Sequence, residues 1–369
     1  MTRNPFQYQT EVTGPSFIDR TEDLATLRRH CINGRNIILV APRRLGKSSL
    51  IQETFRRLPA NVLPLYVDIS KTGQEGDVAQ RIIAALAVRA FGRVERAWRW
   101  ILDHFRRTRP IVRAGPHGPE FSFDVVDTGL PELEETLGLL EVTARRQKKR
   151  IVLAIDEFQK IVERDKTGET IGAIRGIVQH QKRVSYIFSG SKKHTLLGLV
   201  EDRNEPFWGQ LDTMEIGGIP IHHFAPLAKR LFKKAGHPID EATLRRVGEL
   251  CFDNPKRIQE LLAGLYDAGQ APTAALAGEI LARQIHDRRH HLEDILNDVD
   301  EGHQKRLVLA LAKEGRPTRI TTRQFMTRHH LGGPGFVERA ADSLRKKGIL
   351  TDRNWFVDPY FFHYLREDA

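Results

Sequence analysis

A chain of 369 residues with 40% hydrophobic and 28% charged residues is long enough for two to three domains and has the balance of a soluble globular protein. Lys and Arg number 58 against 47 Asp and Glu, a surplus of +11 that points to a polyanionic partner such as nucleotide, nucleic acid or an anionic membrane. Two cysteines, Cys31 and Cys251, no apolar run near the ~20 residues of a membrane span, and no apolar core in Met1–Thr10 set aside secreted and membrane-spanning proteins and lead to the expectation of a reducing, cytoplasmic setting.

Through the first 220 residues, short apolar runs alternate with stretches of helical period. Candidate strands are Ile37–Val40, Val62–Val67, Ile151–Ile155, Val184–Phe188 and Thr213–Ile216, continuous and rich in Ile and Val, as in a parallel sheet buried on both faces. Between them, segments such as 169–181, with Ile171, Ile174, Ile177 and Val178 on one stripe, read as helices. The alternation predicts an α/β layered domain over 1–220. Residues 108–131, with Pro110, Gly115, Pro116, Gly118 and Pro119, read as an inserted loop. From 221 the strands stop: 225–235, 240–252, 255–268 and 273–297 read as helices, the last capped by Thr273, and predict a helical domain over 221–300. The remainder, 301–369, reads as helices 303–314, 322–330 and 336–347, then two short apolar stretches, Ile349–Leu350 and Trp355–Val357, joined by Asp352-Arg353-Asn354. Three helices and a hairpin outline a winged helix-turn-helix.

The run Ala41-Pro42-Arg43-Arg44-Leu45-Gly46-Lys47-Ser48-Ser49 lies between the first predicted strand and a helical stretch. It is a phosphate-binding loop pattern with Ala in place of the first Gly, which is tolerated if φ of Ala41 stays negative. In such a loop Gly46 lets the backbone approach phosphate, Lys47 reaches the β- and γ-phosphates, and the Ser48 hydroxyl serves Mg²⁺. Downstream, Ile151–Ile155 ends in Asp156 and Glu157. With the loop present, Asp156 is the candidate for holding Mg²⁺ through water and Glu157 for orienting the attacking water. After Val184–Phe188 come Ser189-Gly190-Ser191; Ser189 first and Ser191 second are candidates for sensing the γ-phosphate, beside the equal alternative of a plain turn.

Together, Phe17-Ile18-Asp19-Arg20-Thr21-Glu22-Asp23-Leu24, the loop with Arg43-Arg44, Asp156-Glu157-Phe158-Gln159 and Phe188-Ser189-Gly190-Ser191 resemble the prokaryotic "archaeal ATPase" family, in the STAND branch of the AAA+-related P-loop proteins. The resemblance covers roughly residues 5–270, and the C-terminal winged helix is similar to one such proteins carry. It implies an ATP-driven switch with strand order 5-1-4-3-2, a helical lid, Mg²⁺, and self-association or capture of a protein partner on ATP binding. It puts the adenine-side contact on Ile18 to Arg20. The lid motif falls on Asp253-Asn254-Pro255, where Pro255 matches the family and Asp253 departs from its Gly. Lys256 or Arg257 then becomes the lid sensor of the γ-phosphate. Arg203, and more weakly Arg175, is the candidate arginine finger acting in trans.

Charge is concentrated in two places. Residues 81–113 hold nine arginines against Glu95 and Asp103, and residues 301–350 hold eleven Lys or Arg against four acids. In the second, Arg339, Arg345, Lys346 and Lys347 are candidate contacts to double-stranded DNA, of the backbone-directed kind, since Gly335-Phe336-Val337-Glu338 offers few base-reading donors. In the first, Trp98 and Trp100 among the arginines could stack on bases, although their spacing fits a core face better. His286, His290 and His291 lack a third ligand cluster and read as a solvated helix face. The leading expectation is therefore a cytoplasmic Mg²⁺-dependent ATPase switch. A DNA-binding initiator or loader similar to origin-recognition ATPases, and a non-hydrolysing nucleotide-gated adaptor in defence or signalling, stand as alternatives.

Overall fold

The computed structural model describes residues 4–72, 75–91, 109–115, 118–124, 133–203, 205–315 and 319–367. The chain divides into two compact units, one of residues 21–40 and 50–216, the other of residues 1–20, 41–49 and 217–369.

The first unit is built on a sheet. In chain order come α1 (Thr21–Asn33), β1 (Ile37–Val40), α2 (Lys47–Arg56, whose first three residues count with the other unit), β2 (Val62–Asp68) and α3 (Glu75–Phe91). A hairpin of β3 (Arg109–Gly115) and β4 (Gly118–Asp124) follows, then α4 (Leu133–Gln147), β5 (Arg150–Asp156), α5 (Gln159–Arg164), α6 (Glu169–Val178), β6 (Val184–Gly190), α7 (Lys193–Glu201) and β7 (Asp212–Glu215). Five strands form one parallel sheet in the order β2-β5-β6-β1-β7. Numbered among themselves and read from the other edge, that is the expected 5-1-4-3-2. All four residues of β1 and all seven of β6 are buried, which is why these strands read as unbroken apolar runs instead of alternating ones. Phe188 is the centre of the core, with Phe158, Tyr186 and Phe207 ring centroids at 4.4, 5.5 and 5.6 Å.

The reading of 108–131 as a loop needs correction. Residues 109–115 and 118–124 pair as an antiparallel two-stranded sheet apart from the main one, Ile111 opposite Ser122 and Val112 opposite Phe121. Of the residues that suggested a loop, Gly115 pairs with Gly118 and Pro119 with Ala114, whereas Pro110 pairs with Phe123 at the other end of the strands. Residues 92–108, with Trp98, Trp100 and most of the first arginine cluster, lie outside the described residues.

The second unit is helical from residue 221 onward. It holds α8 (Ile221–Lys234), α9 (Glu241–Cys251), α10 (Pro255–Asp267), α11 (Ala274–His286), α12 (Arg289–Asn297), α13 (His303–Glu314), α14 (Arg323–Arg328), α15 (Pro334–Lys346) and α16 (Pro359–Glu367). Side-chain caps start several of them: Asp240 accepts from Thr243 N at 2.7 Å, Asn254 from Arg257 N at 3.2 Å and Thr273 from Leu276 N at 3.1 Å. The helix expected over 273–297 is two helices. Arg288 leaves the helical region at φ −113° and ψ 11°, and its guanidinium is drawn onto Glu260 of α10 and the Gln284 carbonyl. Between α15 and α16, Leu350 and Phe356 make the antiparallel bridge of the predicted wing. Helix α16, which no periodicity argument had singled out, buries Tyr360, Phe361, Phe362, Tyr364 and Leu365. One hydrophobic cluster runs from Phe6 through Leu261 and Leu262 to Leu344 and Phe362, so residues 221–300 and 301–367 share a core. Among the described residues no helix is long and apolar enough to cross a membrane.

Candidate functional site

The loop 41–49 takes its shape from two left-handed residues. Ala41 is absent from the residues of positive φ, as the pattern requires, whereas Arg44 has φ 71° and Gly46 φ 83°. Gly46 adopts this without a Cβ penalty; Arg44 does so at a cost that non-glycine residues rarely accept outside functional loops. The chain then enters α2 at Lys47, which is buried, with Ser48 next and half-buried. A helix N-terminus that follows a loop with left-handed residues is the arrangement that binds anions. Arg43 is exposed, and Pro42 and Leu45 are half-buried.

The N-terminal segment braces this loop. Arg20 is 6% exposed, and its Nη2 donates to the Leu45 carbonyl at 2.6 Å and to the Gly217 carbonyl at 2.7 Å. Ser49 Oγ accepts from Val12 N at 3.0 Å. Ile18 packs against the helical core. Of the residues expected on the adenine side, Arg20 thus has its guanidinium on the loop's own backbone, a bracing role that residue type alone could not reveal.

In the sheet unit, β5 ends on the two carboxylates. Asp156 is buried; its Oδ1 accepts from Ser189 Oγ at 2.8 Å and from Glu157 N at 3.0 Å, and its Oδ2 from Tyr66 Oη at 2.7 Å. These donors hold the carboxylate in one orientation at the carboxyl edge of the sheet. Register makes the placement concrete: Val40, the last residue before the loop, pairs with Gly190, and Asp156 pairs with Ser189. Val40 and Asp156 therefore lie at the same edge with one strand between them, about 10 Å apart at the usual strand spacing. Glu157 leaves the strand in the left-handed region, φ 63°, and its Oε2 accepts from Gln159 Nε2 at 2.6 Å. Gln159 is itself buried against Gly190, where any Cβ would lie 1.8 Å from Gln159 Oε1. Sequence reading gave Gln159 no role, and only its position two residues beyond Glu157 could have suggested one. Ser189 is fully buried on Asp156, whereas Ser191 is half-buried beyond the strand. A Ser hydroxyl at a helix start and a strand-end carboxylate are hard oxygen donors, the chemistry Mg²⁺ takes. Among the described residues no group of three or more His, Cys, Asp or Glu could hold a metal by itself, the His286, His290 and His291 set included.

The candidate lid residues meet the winged helix. Pro255 is the first residue of α10 and Asn254 its cap; Phe252 and Asp253 before them are left-handed, φ 50° and 56°. Arg257, 2% exposed, donates from Nε to Asp358 Oδ1 at 3.0 Å, from Nη2 to Asp358 Oδ2 at 2.7 Å and from Nη1 to Glu260 Oε2 at 2.7 Å, while its guanidinium covers the Tyr360 ring at 3.8 Å. Burial alone would lower its pKa, but Asp358 and Glu260 outweigh burial and hold it raised. Lys256 is half-buried, and burial followed by the charges of Arg44 and Arg257 lowers its pKa.

The other candidates are dispersed. Arg203 is exposed and lies over Trp208, 5.9 Å from the ring centroid, and Arg175 is half-buried on α6. In the winged helix, Arg339 lies over Phe336, Lys346 and Lys347 are exposed, and Arg345 is engaged by Asp342, Glu338 and Asn354. Both cysteines are buried; burial pushes the Cys31 thiol up to about 12 and Cys251 higher still, so neither is a nucleophile at neutral pH.

Residues 32–195 match a family described as "AAA domain", and residues 291–367 one described as "Probable winged helix domain". The chain thus carries an AAA domain and, C-terminal to it, a probable winged helix domain. Among solved structures it is similar to the Walker-type ATPase of Pyrococcus abyssi, at 15% identity and a TM-score of 0.68 over 98% of this chain and 99% of that one. It is also similar to the ORC2 protein of Aeropyrum pernix in its ADPNP–ADP complexes, at 11% identity and a TM-score of 0.59 over 98% and 96% of the two chains. The ADP form of that ORC2 protein aligns at 11% identity with a TM-score of 0.56 over 93% and 89%. At these identities the likeness establishes the fold. No curated protein matches the chain.

Proposed function

We propose that the protein is a Mg²⁺-dependent, ATP-hydrolysing switch that couples nucleotide state to self-association or to a partner held by the winged helix. The observation that carries the reading is the register of the sheet: the strand leading into the loop 41–49 and the strand ending in Asp156-Glu157 flank β6 at one edge. In this reading, residues 41–49 cradle the phosphates, Lys47 neutralises them, and Ser48 and Asp156 hold the metal. Mg²⁺, when bound, would spread the charge of the phosphate oxygens. Glu157, restrained by Gln159, orients the attacking water and accepts its proton. Ser189 positions Asp156, with γ-phosphate sensing left to Ser191 or the lid. Arg203 is the finger offered to a neighbouring subunit.

Lys47→Ala should abolish ATP binding. Glu157→Gln should keep binding while lowering turnover by about a hundredfold or more, the contribution of a positioned general base. Wild-type hydrolysis rates in both variants would refute the assignment. Stoichiometric ATP retention with no phosphate release by the wild type would replace it with the nucleotide-gated adaptor.

A second reading, an initiator-like ATPase that contacts duplex DNA, is favoured by one observation. Arg323, Arg339, Lys346, Lys347 and Arg353 are all exposed on residues 319–357. Such a surface suits phosphate contacts without base readout.

A further inference from the structure

The phosphate loop, the lid helix and the winged helix converge on a single carboxylate. Asp358 lies in the turn between the wing and α16, 14% exposed in its side chain. Its Oδ2 accepts from Arg257 Nη2 of α10 and from Arg44 Nη1 of the loop; its Oδ1 accepts from Arg257 Nε and from Tyr360 N, the second bond capping α16. Arg257 and Arg288 share the second carboxylate, Glu260, and stack on Tyr360. Six charged residues separated by up to 314 positions in sequence thus form one knot, with Arg44, Lys256, Arg257 and Arg288 against Glu260 and Asp358.

The knot holds more positive than negative charge. Burial pushes Asp358 toward the neutral form, but the bonds and charges of Arg257 and Arg44 outweigh it and hold the carboxyl below its usual range. Lys256, half-buried, has its pKa lowered by burial first and then by Arg44 and Arg257, and four cationic side chains here face only two carboxylates. A further anion is therefore favoured at this spot. The loop that carries Arg44 is the segment read above as the phosphate cradle, and on that reading the arriving anion is the terminal phosphate of the nucleotide. A phosphate presents more charge and more acceptor oxygens to a guanidinium fork than a carboxylate does.

We propose that Asp358 is a resident anion that holds Arg44 while the nucleotide site is empty and competes with the nucleotide's terminal phosphate for it, so that ATP binding releases the winged helix from the phosphate loop. The proposal rests on the assignment of residues 41–49 as the nucleotide site. Linkage makes it reciprocal: whatever strengthens the Asp358–Arg44 pair weakens ATP binding, and ATP weakens the pair by the same factor.

The test is titration of the full-length chain with a fluorescent ATP analogue. Asp358→Asn keeps an acceptor for Tyr360 N, because Asn caps helices as well as Asp, and removes the charge together with the second oxygen that accepts from Arg44 and Arg257. It should bind the analogue roughly tenfold more tightly than wild type, within the usual range of coupling between sites. In an Arg44→Gln background the same substitution should change affinity by less than about twofold, since the competing pair is already gone. Equal or weaker binding by folded Asp358→Asn, or an undiminished gain without Arg44, overturns the proposal. A measurement on the wild type needs no variant: ATP should speed hydrogen exchange at the amides of 355–361, and unchanged or slower exchange overturns the proposal. Its failure is separable from that of the underlying assignment. Absence of ATP binding by the wild type removes both, whereas ATP binding that is lost in Lys47→Ala but not improved in Asp358→Asn removes the competition alone.

Discussion

Replacing Arg20 by Met should damage the phosphate loop without touching any residue that faces a phosphate. The methionine stem can follow the arginine stem through the core, so packing changes little. The left-handed backbone at this position, φ 62°, is as unfavourable for Met as for Arg. What is lost is the pair of hydrogen bonds from Nη2 to the Leu45 and Gly217 carbonyls, at 2.6 and 2.7 Å. A hydrogen bond from a charged donor contributes about 1.5–3 kcal/mol; with the low end for each, because water can reach the freed carbonyls, the substitution costs about 3 kcal/mol. Roughly half of that falls on the loop through Leu45, enough to weaken ATP binding by about tenfold. Arg20→Lys keeps the charge but loses the fork, so it should recover at most one of the two carbonyls. Urea unfolding followed by circular dichroism, with titration of a fluorescent ATP analogue, measures both effects. If Arg20→Met stays within about 0.5 kcal/mol of wild type, the range of an ordinary surface change, and binds ATP unchanged, the bracing argument is wrong.

Three further outcomes concern the helical unit. If the winged helix holds DNA through phosphates, Arg339→Gln with Lys346→Gln should weaken duplex binding and flatten its dependence on salt, as read by filter binding at two salt concentrations. Arg345→Gln should instead lower stability, because Asp342, Glu338 and Asn354 already engage that side chain. His363, whose Nε2 lies 3.0 Å from the Leu250 carbonyl, has its pKa lowered, by burial first and then by Arg366 and Arg246. A depressed histidine stabilises the fold fully above its unfolded value of about 6.5 and loses that contribution as pH falls through the lower folded value. Stability should therefore decline as pH drops from 7 through the mildly acidic range, and His363→Gln should flatten the decline; an unchanged profile refutes the attribution.

The fold was legible because its signals are local. Parallel strands announce themselves as buried apolar runs such as Ile37–Val40 and Ile151–Ile155, and a phosphate loop needs only a strand, a Gly and a Lys in succession. The paired strands 109–115 and 118–124 were misread because their Gly and Pro residues are also those of a loop. The break at Arg288 coincides with an ion pair to Glu260, 28 residues earlier, which no helical period records. At the site, Asp156 and Glu157 were visible as residue types at a strand end. The donors that fix them come from Tyr66, Ser189 and Gln159, and only the sheet's register brings Tyr66 and Ser189 beside Asp156.

Net charge shows the same limit from the other side. The surplus of +11 resides in two basic segments, one of them largely among residues 92–108, outside the described set. The buried and half-buried excess at Arg44, Lys256, Arg257 and Arg288 is smaller, and its members are spread so widely along the chain that no segment count reveals it. It nevertheless bears more directly on the phosphate loop, because desolvated charges interact far more strongly than solvated ones. This also determines how the winged helix can be interrogated. Removing residues from 301 onward would take Leu307, Leu311, Leu344 and Phe362 out of a cluster that they share with Leu261 and Leu262. The remaining helices would lose apolar burial as well as charge, and a change in ATP binding would have two causes. Neutralising Asp358 leaves that cluster intact, so it isolates the electrostatic coupling between winged helix and phosphate loop from the packing that holds them in one unit.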